Sequence, residues 1–289
     1  MSDISQLKTH FKIRNIAGLE LLVCEPLKLA GFVHAFTGRR GGVSPLPADG
    51  LNLGNFSQDS RENIQENRRR LKSALGIKSW PLATLRQIHS ADIVELPTRE
   101  LNESEPQEGD ALLTDLQEIA IGVQTADCLP VLLADRRSGA VAAVHAGWRG
   151  TLAGIVSSVV GRMEQRFNTR PDDIIAVLGP AIGSCCFEIG AEVVTLFQNS
   201  FVETDQFVSR RQANGKANFN LNLANRIQLR QAGVADNSVF DSDICTVCHN
   251  DRFFSYRFEL GAEKPVGRQM ALIGLGLPSW IERSSHDEK

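Results

Sequence analysis

Three residues of this chain stand where metal or acid–base chemistry would need them: His89, Cys128 and His145. Cys128 enters the apolar run Leu129 to Ala134, and His145 leaves the run Ala140 to Val144. Both runs read as short buried strands, because they are continuous rather than periodic and are bounded by Gly, Ser and charged residues. If those strands are neighbours, their ends bring a thiol and an imidazole together. His89 sits between two short strand patterns that together span Leu82 to Leu96, so it occupies a chain break. Two imidazoles and a thiolate fill three corners of a zinc tetrahedron and leave the fourth for water or substrate. The same donors suit copper. Spacing by itself does not separate this arrangement from one packed cysteine and two unrelated histidines.

Other candidates carry weaker chemistry. Arg39 and Arg40 beside Gly41 and Gly42 would let guanidinium groups and backbone amides approach an anion together, or form a solvated turn. No G-x-x-x-x-G-K-[ST] phosphate loop is present. Cys245-Thr-Val-Cys248-His249 matches the haem-attachment pattern C-x-x-C-H. Context opposes haem, and no second C-x-x-C exists to complete a zinc ribbon, so a structural or auxiliary role is expected. The adjacent Cys185 and Cys186 read as small packed hydrophobes, and His34 as a satisfied core or edge residue.

The elements that must position these groups are readable in outline. Leu152, Ile155, Val156, Val159, Val160, Met163 and Phe167 recur at helical spacing. A helix beginning near Trp148-Arg149-Gly150 would turn its N-terminal amides toward anything bound beside His145, favouring an anion. Asp59 with Glu62 resembles a capping box opening a helix through Ser73, with Gly76 as its stop. Residues 19 to 36 suggest an opening pair of strands around Pro26. Pro97 to Glu108, polar and acidic, reads as a surface loop.

With 289 residues and 42% hydrophobic content the chain can bury a full core, and one domain is expected. A net charge of -3 and a pI near 6.1 give no electrostatic reason to propose nucleic acid or an anionic membrane as partner. No apolar run approaches the ~18 residues of a membrane span, and the N-terminus lacks the apolar core of a secretory signal. A cytoplasmic location is therefore expected. Six cysteines in a chain this long are too sparse for a disulfide scaffold, which leaves them free or metal-bound.

RQIHSADIV, GDALLT, TADCLPVLLAD, AVHAGWRGTLAGI, LGPAIGSCCFEIG and FFSYR follow one another in this order. The set resembles the YfiH-like laccase-domain family, also labelled multicopper polyphenol oxidases and regarded as purine nucleoside phosphorylases, from Gly41 to the last strand. The resemblance implies an α/β fold: a single-domain layered α-β-β-α sandwich with mixed sheets, covering residues 1 to 289 with its core at about 20 to 278. It further implies zinc on His89, Cys128 and His145, with copper as the alternative metal. The implied reactions are phosphorolysis of adenosine, inosine and methylthioadenosine, and deamination of adenosine. Purine nucleosides and phosphate would be the partners, and no obligate protein partner is inferred.

Deamination needs a hydroxide near neutral pH, which zinc can supply by depressing the pKa of water, and Asp110 or Asp127 would move the proton. Phosphorolysis needs a cationic cradle, for which Arg40, Arg149 and Arg257 are the candidates. Two departures stand out: Gly50 precedes LNLG with NFSQDS after it, which bears on substrate preference near that loop, and Phe258 follows FFSYR where the family commonly has a second arginine, so one positive charge is missing from that wall. A copper polyphenol oxidase is a competing reading. Its multicopper form needs paired H-x-H motifs, and the six histidines contain none. Another is a hydrolase editing peptidoglycan precursors, with Cys128 as nucleophile and His145 as base. A third is a non-catalytic binder of metal or nucleoside.

Overall fold

Strands that are apolar at every position must be covered on both faces, and that requirement organises this chain. The computed structural model describes residues 9–46, 50–54, 59–98, 106–261 and 266–276. In it Leu129–Asp135 and Val141–Ala146 are buried throughout. They pair antiparallel, with Val144 opposite Val131 and His145 opposite Pro130. Alternate side chains enter alternate layers. Val131, Leu133, Ala142 and Val144 join a cluster with helices, whereas Leu132, Ala134, Val141 and Ala143 join one with a second sheet.

The two strands lie at the centre of a six-stranded sheet, in the order Val239–Asp241, Ile174–Leu178, Leu129–Asp135, Val141–Ala146, Ala111–Thr114, Ile93–Glu95. The facing six-stranded sheet runs Phe11–Ile16, Leu19–Cys24, Phe32–Thr37, Gln269–Leu275, Ala120–Thr125, Leu82–Ala83. Both are mixed, antiparallel in the middle with parallel pairs at edges. Helices Ile155–Phe167 and Leu221–Gln231 cover the outer face of the first sheet, and Arg61–Ala74 covers that of the second. The result is the layered α-β-β-α sandwich of mixed sheets that the sequence resemblance implied. No helix among the described residues is long and apolar enough to cross a membrane.

Two helix boundaries differ from the sequence reading. The helix over 61–74 is capped by Ser60, whose Oγ accepts from Asn63 N at 3.1 Å. Asp59 instead accepts from Ser44, Asn52 and Asn63 side chains, tying the Gly-rich loop to the helix start. The pattern from Leu152 to Phe167 is not one helix. A single turn, Trp148–Leu152, comes first, and Gly154 at a φ of 74° redirects the chain before Ile155–Phe167 begins. That left-handed conformation suits glycine and ends the first helix.

His34 is a core histidine. Its Nε2 accepts from Cys24 N at 2.9 Å, its Nδ1 lies 3.0 Å from Phe32 O, and burial pushes its pKa down to about 4. Most of the acidic loop, residues 99–105, lies outside the described residues, as do residues 55–58 after LNLG.

Candidate metal centre

Strand register assembles the site. Val144 pairs with Ala111, and the next residue, His145, donates its backbone N–H to Asp110 O at 2.8 Å. Ala146 lies opposite Leu129, which brings Gly147 against Cys128. His89 arrives on a loop that crosses between the sheets, because Leu82–Ala83 belongs to one and Ile93–Glu95 to the other. Gln87 clamps this crossing: its Nε2 donates to Gln124 O and its Oε1 accepts from Gln124 N, both at 2.8 Å. One ligand atom from each of His89, Cys128 and His145 then lies within 4.8 Å of the others. The imidazoles meet edge to face, with centroids 4.9 Å apart.

Asp110 orients the set. It is fully buried, and its Oδ1 accepts from His145 Nδ1 at 2.7 Å and from His89 N at 3.1 Å. Its Oδ2 accepts from Ser90 N at 2.6 Å, Ser90 Oγ at 2.9 Å and Ile88 N at 3.3 Å. Burial alone would raise its pKa, but these donors hold the carboxyl below the usual range. With Nδ1 committed to Asp110, His145 has Nε2 left for a metal. Both oxygens of Asp110 are occupied and sealed from solvent, which suits a positioning residue better than the proton carrier anticipated from the sequence. Asp110→Asn replaces an acceptor by a donor beside His145. It is expected to weaken metal binding by about 10–100-fold, read by competition with a chromophoric chelator; unchanged affinity would remove Asp110 from this role.

Donor chemistry and space both fit a metal. A Cβ built at Gly147 would lie 3.1 Å from Cys128 Sγ and 3.5 Å from His89 Cδ2. The φ of Gly147, -71°, is open to any residue, so what a side chain here would meet is crowding, with Cys128 having to give by a few tenths of an ångström. His89 and Asp127, at φ values of 60° and 85°, hold left-handed conformations, uncommon outside glycine although His and Asp adopt them more readily than most residues. Such strain is retained where surrounding structure over-determines it. Around Cys128 and His145, burial disfavours both charges and is the largest single influence, but the partner's charge and hydrogen bond, with His89 beside Cys128 and Asp110 bonded to His145, together outweigh it. The Cys128 pKa falls to about 6 and that of His145, with Asp110 behind it, rises to about 9.

The second carboxylate has a different setting. Asp127 Oδ1 accepts from Thr246 Oγ1 and Oδ2 from Arg257 N, each at 2.6 Å. Among the arginines, Arg257 is exposed and donates to Cys186 O and Glu188 O, both at 3.2 Å. Arg149 is exposed and stacks on Trp148 at 4.3 Å. Arg40 is exposed and pairs with Asp251 at 3.7 Å, while its neighbour Arg39 turns inward to Glu259 at 2.6 Å. The turn that follows His145, Trp148–Leu152, is separate from the long helix, which begins only at Ile155.

Arg268 was missed by the sequence reading. Its guanidinium donates to Val266 O at 3.3 Å and Gly267 O at 3.0 Å; burial lowers its pKa, opposed by the charges of Cys128, Asp127 and Glu259, which puts it within electrostatic range of the site. Its one sequence signal is a cation placed immediately before the buried strand Gln269–Leu275. Cys185 and Cys186 are also corrected: they are not packed hydrophobes. Cys185 is exposed, and both gather with Cys245 and Cys248.

The chain is similar to known proteins over most of its length. The model of the family described as multi-copper polyphenol oxidoreductase laccase matches residues 33–276. A protein named adenosine deaminase RL5, from an unknown prokaryotic organism, is 40% identical over 232 residues, covering 78% of this chain and 88% of its own length. A purine nucleoside phosphorylase of Bacteroides thetaiotaomicron is 35% identical over 230 residues, covering 78% of this chain and 85% of its own. The crystal structure of YlmD from Geobacillus stearothermophilus matches with a TM-score of 0.84 and 32% identity, covering 92% of this chain and 98% of that one.

Proposed function

The chain belongs to the multi-copper polyphenol oxidoreductase laccase family, and from that premise we propose that it is a zinc-dependent purine nucleoside phosphorylase with adenosine deaminase activity. The carrying observation is the convergence of His89, Cys128 and His145, oriented by Asp110, with Arg257 and Arg268 nearby. The names of the relatives, purine nucleoside phosphorylase and adenosine deaminase, support the same reading.

Zinc held by these three residues would supply a Lewis acid with one coordination position open to solvent or substrate. The chain's own groups bind, orient and move protons. In phosphorolysis a phosphate oxygen bonds to the anomeric carbon as the bond from that carbon to the purine nitrogen breaks. The base leaves with the bonding pair and takes up a proton, and the sugar leaves as ribose 1-phosphate. Arg268 and Arg257 hold the anion while charge moves toward the base, and the exposed Arg40 and Arg149 meet incoming phosphate. In deamination water adds to the purine ring and ammonia departs. Asp127, whose oxygens accept from Thr246 and the Arg257 amide but which, at 8% exposed against 0% for Asp110, is not fully sealed, would carry the proton between them.

A second reading has one observation in its favour. Cys128 and His145 lie together, and each other's charge and hydrogen bond draw the thiol pKa down to about 6 and that of the imidazole up to about 9, the pairing a thiol hydrolase requires. It needs Cys128 free, so a metal on Cys128 in active protein would exclude it. The family's copper label is less well supported. Among the described residues, two groups of three or more His, Cys, Asp or Glu converge closely enough to hold a metal, and together they contain two histidines. These donors do not make a multicopper cluster, although a single His2Cys site accepts copper. Product analysis of a purine nucleoside with and without phosphate tests the proposal.

A further inference from the structure

We propose that Cys185, Cys186, Cys245 and Cys248 form a second zinc site, structural rather than catalytic, which braces one wall of the metal centre. The four sulfurs lie within 4.8 Å of one another, and those of Cys185 and Cys186 are each 3.6 Å from that of Cys248. Four sulfurs at about 2.3 Å from one zinc ion stand about 3.8 Å apart, so these separations are near what a shared ion requires. A disulfide would bring one pair to about 2.05 Å, and all four thiols are free. Packing does not explain the cluster, because Cys185 and Cys248 are exposed.

The backbone is built for convergence. Ala181 bridges Cys245, with Ala181 N donating to Ile244 O at 3.1 Å and Thr246 N to Ala181 O at 2.9 Å, so two turns lie side by side. Neighbouring side chains diverge on an extended strand. Cys185 and Cys186 lie instead in a turn closed by Cys186 N donating to Gly183 O at 2.9 Å, and both reach the same point. Cys245 Sγ accepts from Gly183 N at 3.2 Å and also from the amide of Cys248. Amides turned on a sulfur are the partners a ligating thiolate uses. A Cβ at Gly183 would fall 3.2 Å from Cys185 Sγ and 3.4 Å from Cys245 Sγ, the same crowding that Gly147 avoids at Cys128.

Four cysteines select zinc among common divalent ions and leave no open position, which is the pattern of structural sites. On coordination each thiol gives its proton to solvent, with no change of oxidation state. The ion would join the segments that hold the catalytic wall. Thr246, next to Cys245, donates to Asp127, Ile182 N donates to Asp127 O at 2.8 Å, and Arg257 donates to Cys186 O.

The test is metal content of the full-length protein, purified without chelator and measured by inductively coupled plasma mass spectrometry. About two zinc ions per chain are expected, about one in Cys128→Ala and about one in Cys185→Ser/Cys186→Ser. Cobalt loaded into Cys128→Ala should give the strong thiolate-to-cobalt charge-transfer band of a tetrathiolate site, lost when Cys185 and Cys186 are also replaced. Metal-free Cys128→Ala that takes up no cobalt would overturn the proposal, as would a disulfide within the quartet of the purified protein. The wild-type and Cys128→Ala measurements leave the quartet unaltered, so a folding defect in the double variant does not blunt the test. Turnover is not part of the readout, which keeps failure of this site distinguishable from failure of the phosphorylase reading.

Discussion

Cys128→Ala is expected to yield a folded protein that has lost the metal at His89 and His145 and has no measurable turnover. Removing one of three protein donors leaves two imidazoles, and the loss of affinity should exceed the roughly 10–100-fold expected for an orienting partner such as Asp110. Folding should survive, because Cys128 lies at a strand end, alanine opens no large cavity there, and Asp110 still holds the His145 ring. Metal content measured together with nucleoside turnover decides the matter. A variant that keeps its metal at this site would contradict the assignment even if inactive, because a thiol nucleophile would behave that way.

Proton release adds a second readout. Near neutral pH Cys128, at about 6, is already a thiolate, while His145, at about 9, holds a proton. Metal uptake there should release the proton of His145 and none from Cys128. Affinity should therefore fall as pH drops below about 9, where His145 holds its proton, and fall more steeply below about 6, where Cys128 also takes up a proton that competes with the metal.

Arg268→Met is expected to lower kcat/KM for phosphorolysis by about 10²–10³-fold, the scale of removing one preorganised donor to developing charge, with a raised KM for phosphate. Methionine keeps the apolar stem and removes the charge. The prediction rests on a half-buried guanidinium, held on the Val266 and Gly267 carbonyls, that feels the charges of Cys128, Asp127 and Glu259 where burial is costly for a cation. Adenosine deamination involves no phosphate and should suffer much less. Equal loss of both activities would mark Arg268 as structural. Arg40→Met, which removes an exposed cation paired with Asp251 at 3.7 Å, should have a several-fold smaller effect.

What was legible in the sequence follows from period and position. The runs around Cys128 and His145 announce strands covered on both faces, and pairing them brings their ends together, which is how the site forms. His89 was recognisable as a chain-break residue, but not as a crossing between two sheets, since Leu82–Ala83 and Ile93–Glu95 look alike locally and differ only in partner. The helix after His145 was misjudged because apolar spacing continues through Ala153 and Gly154, and only the φ of Gly154 shows the break. Arg268 and the cysteine quartet were hidden for one reason: each depends on contacts across long stretches of chain. Cys185 and Cys248 are 63 residues apart, and a turn is required before two adjacent cysteines can point at one place.

The most direct measurement incubates the metal-loaded protein with inosine, in phosphate and in phosphate-free buffer, and follows ribose 1-phosphate and hypoxanthine together. The phosphorylase assignment requires that the two products appear in equal amounts, that their rate rises with phosphate to saturation, and that phosphate-free buffer gives neither. Inosine recovered unchanged under both conditions, or hypoxanthine released at a rate indifferent to phosphate, would contradict it.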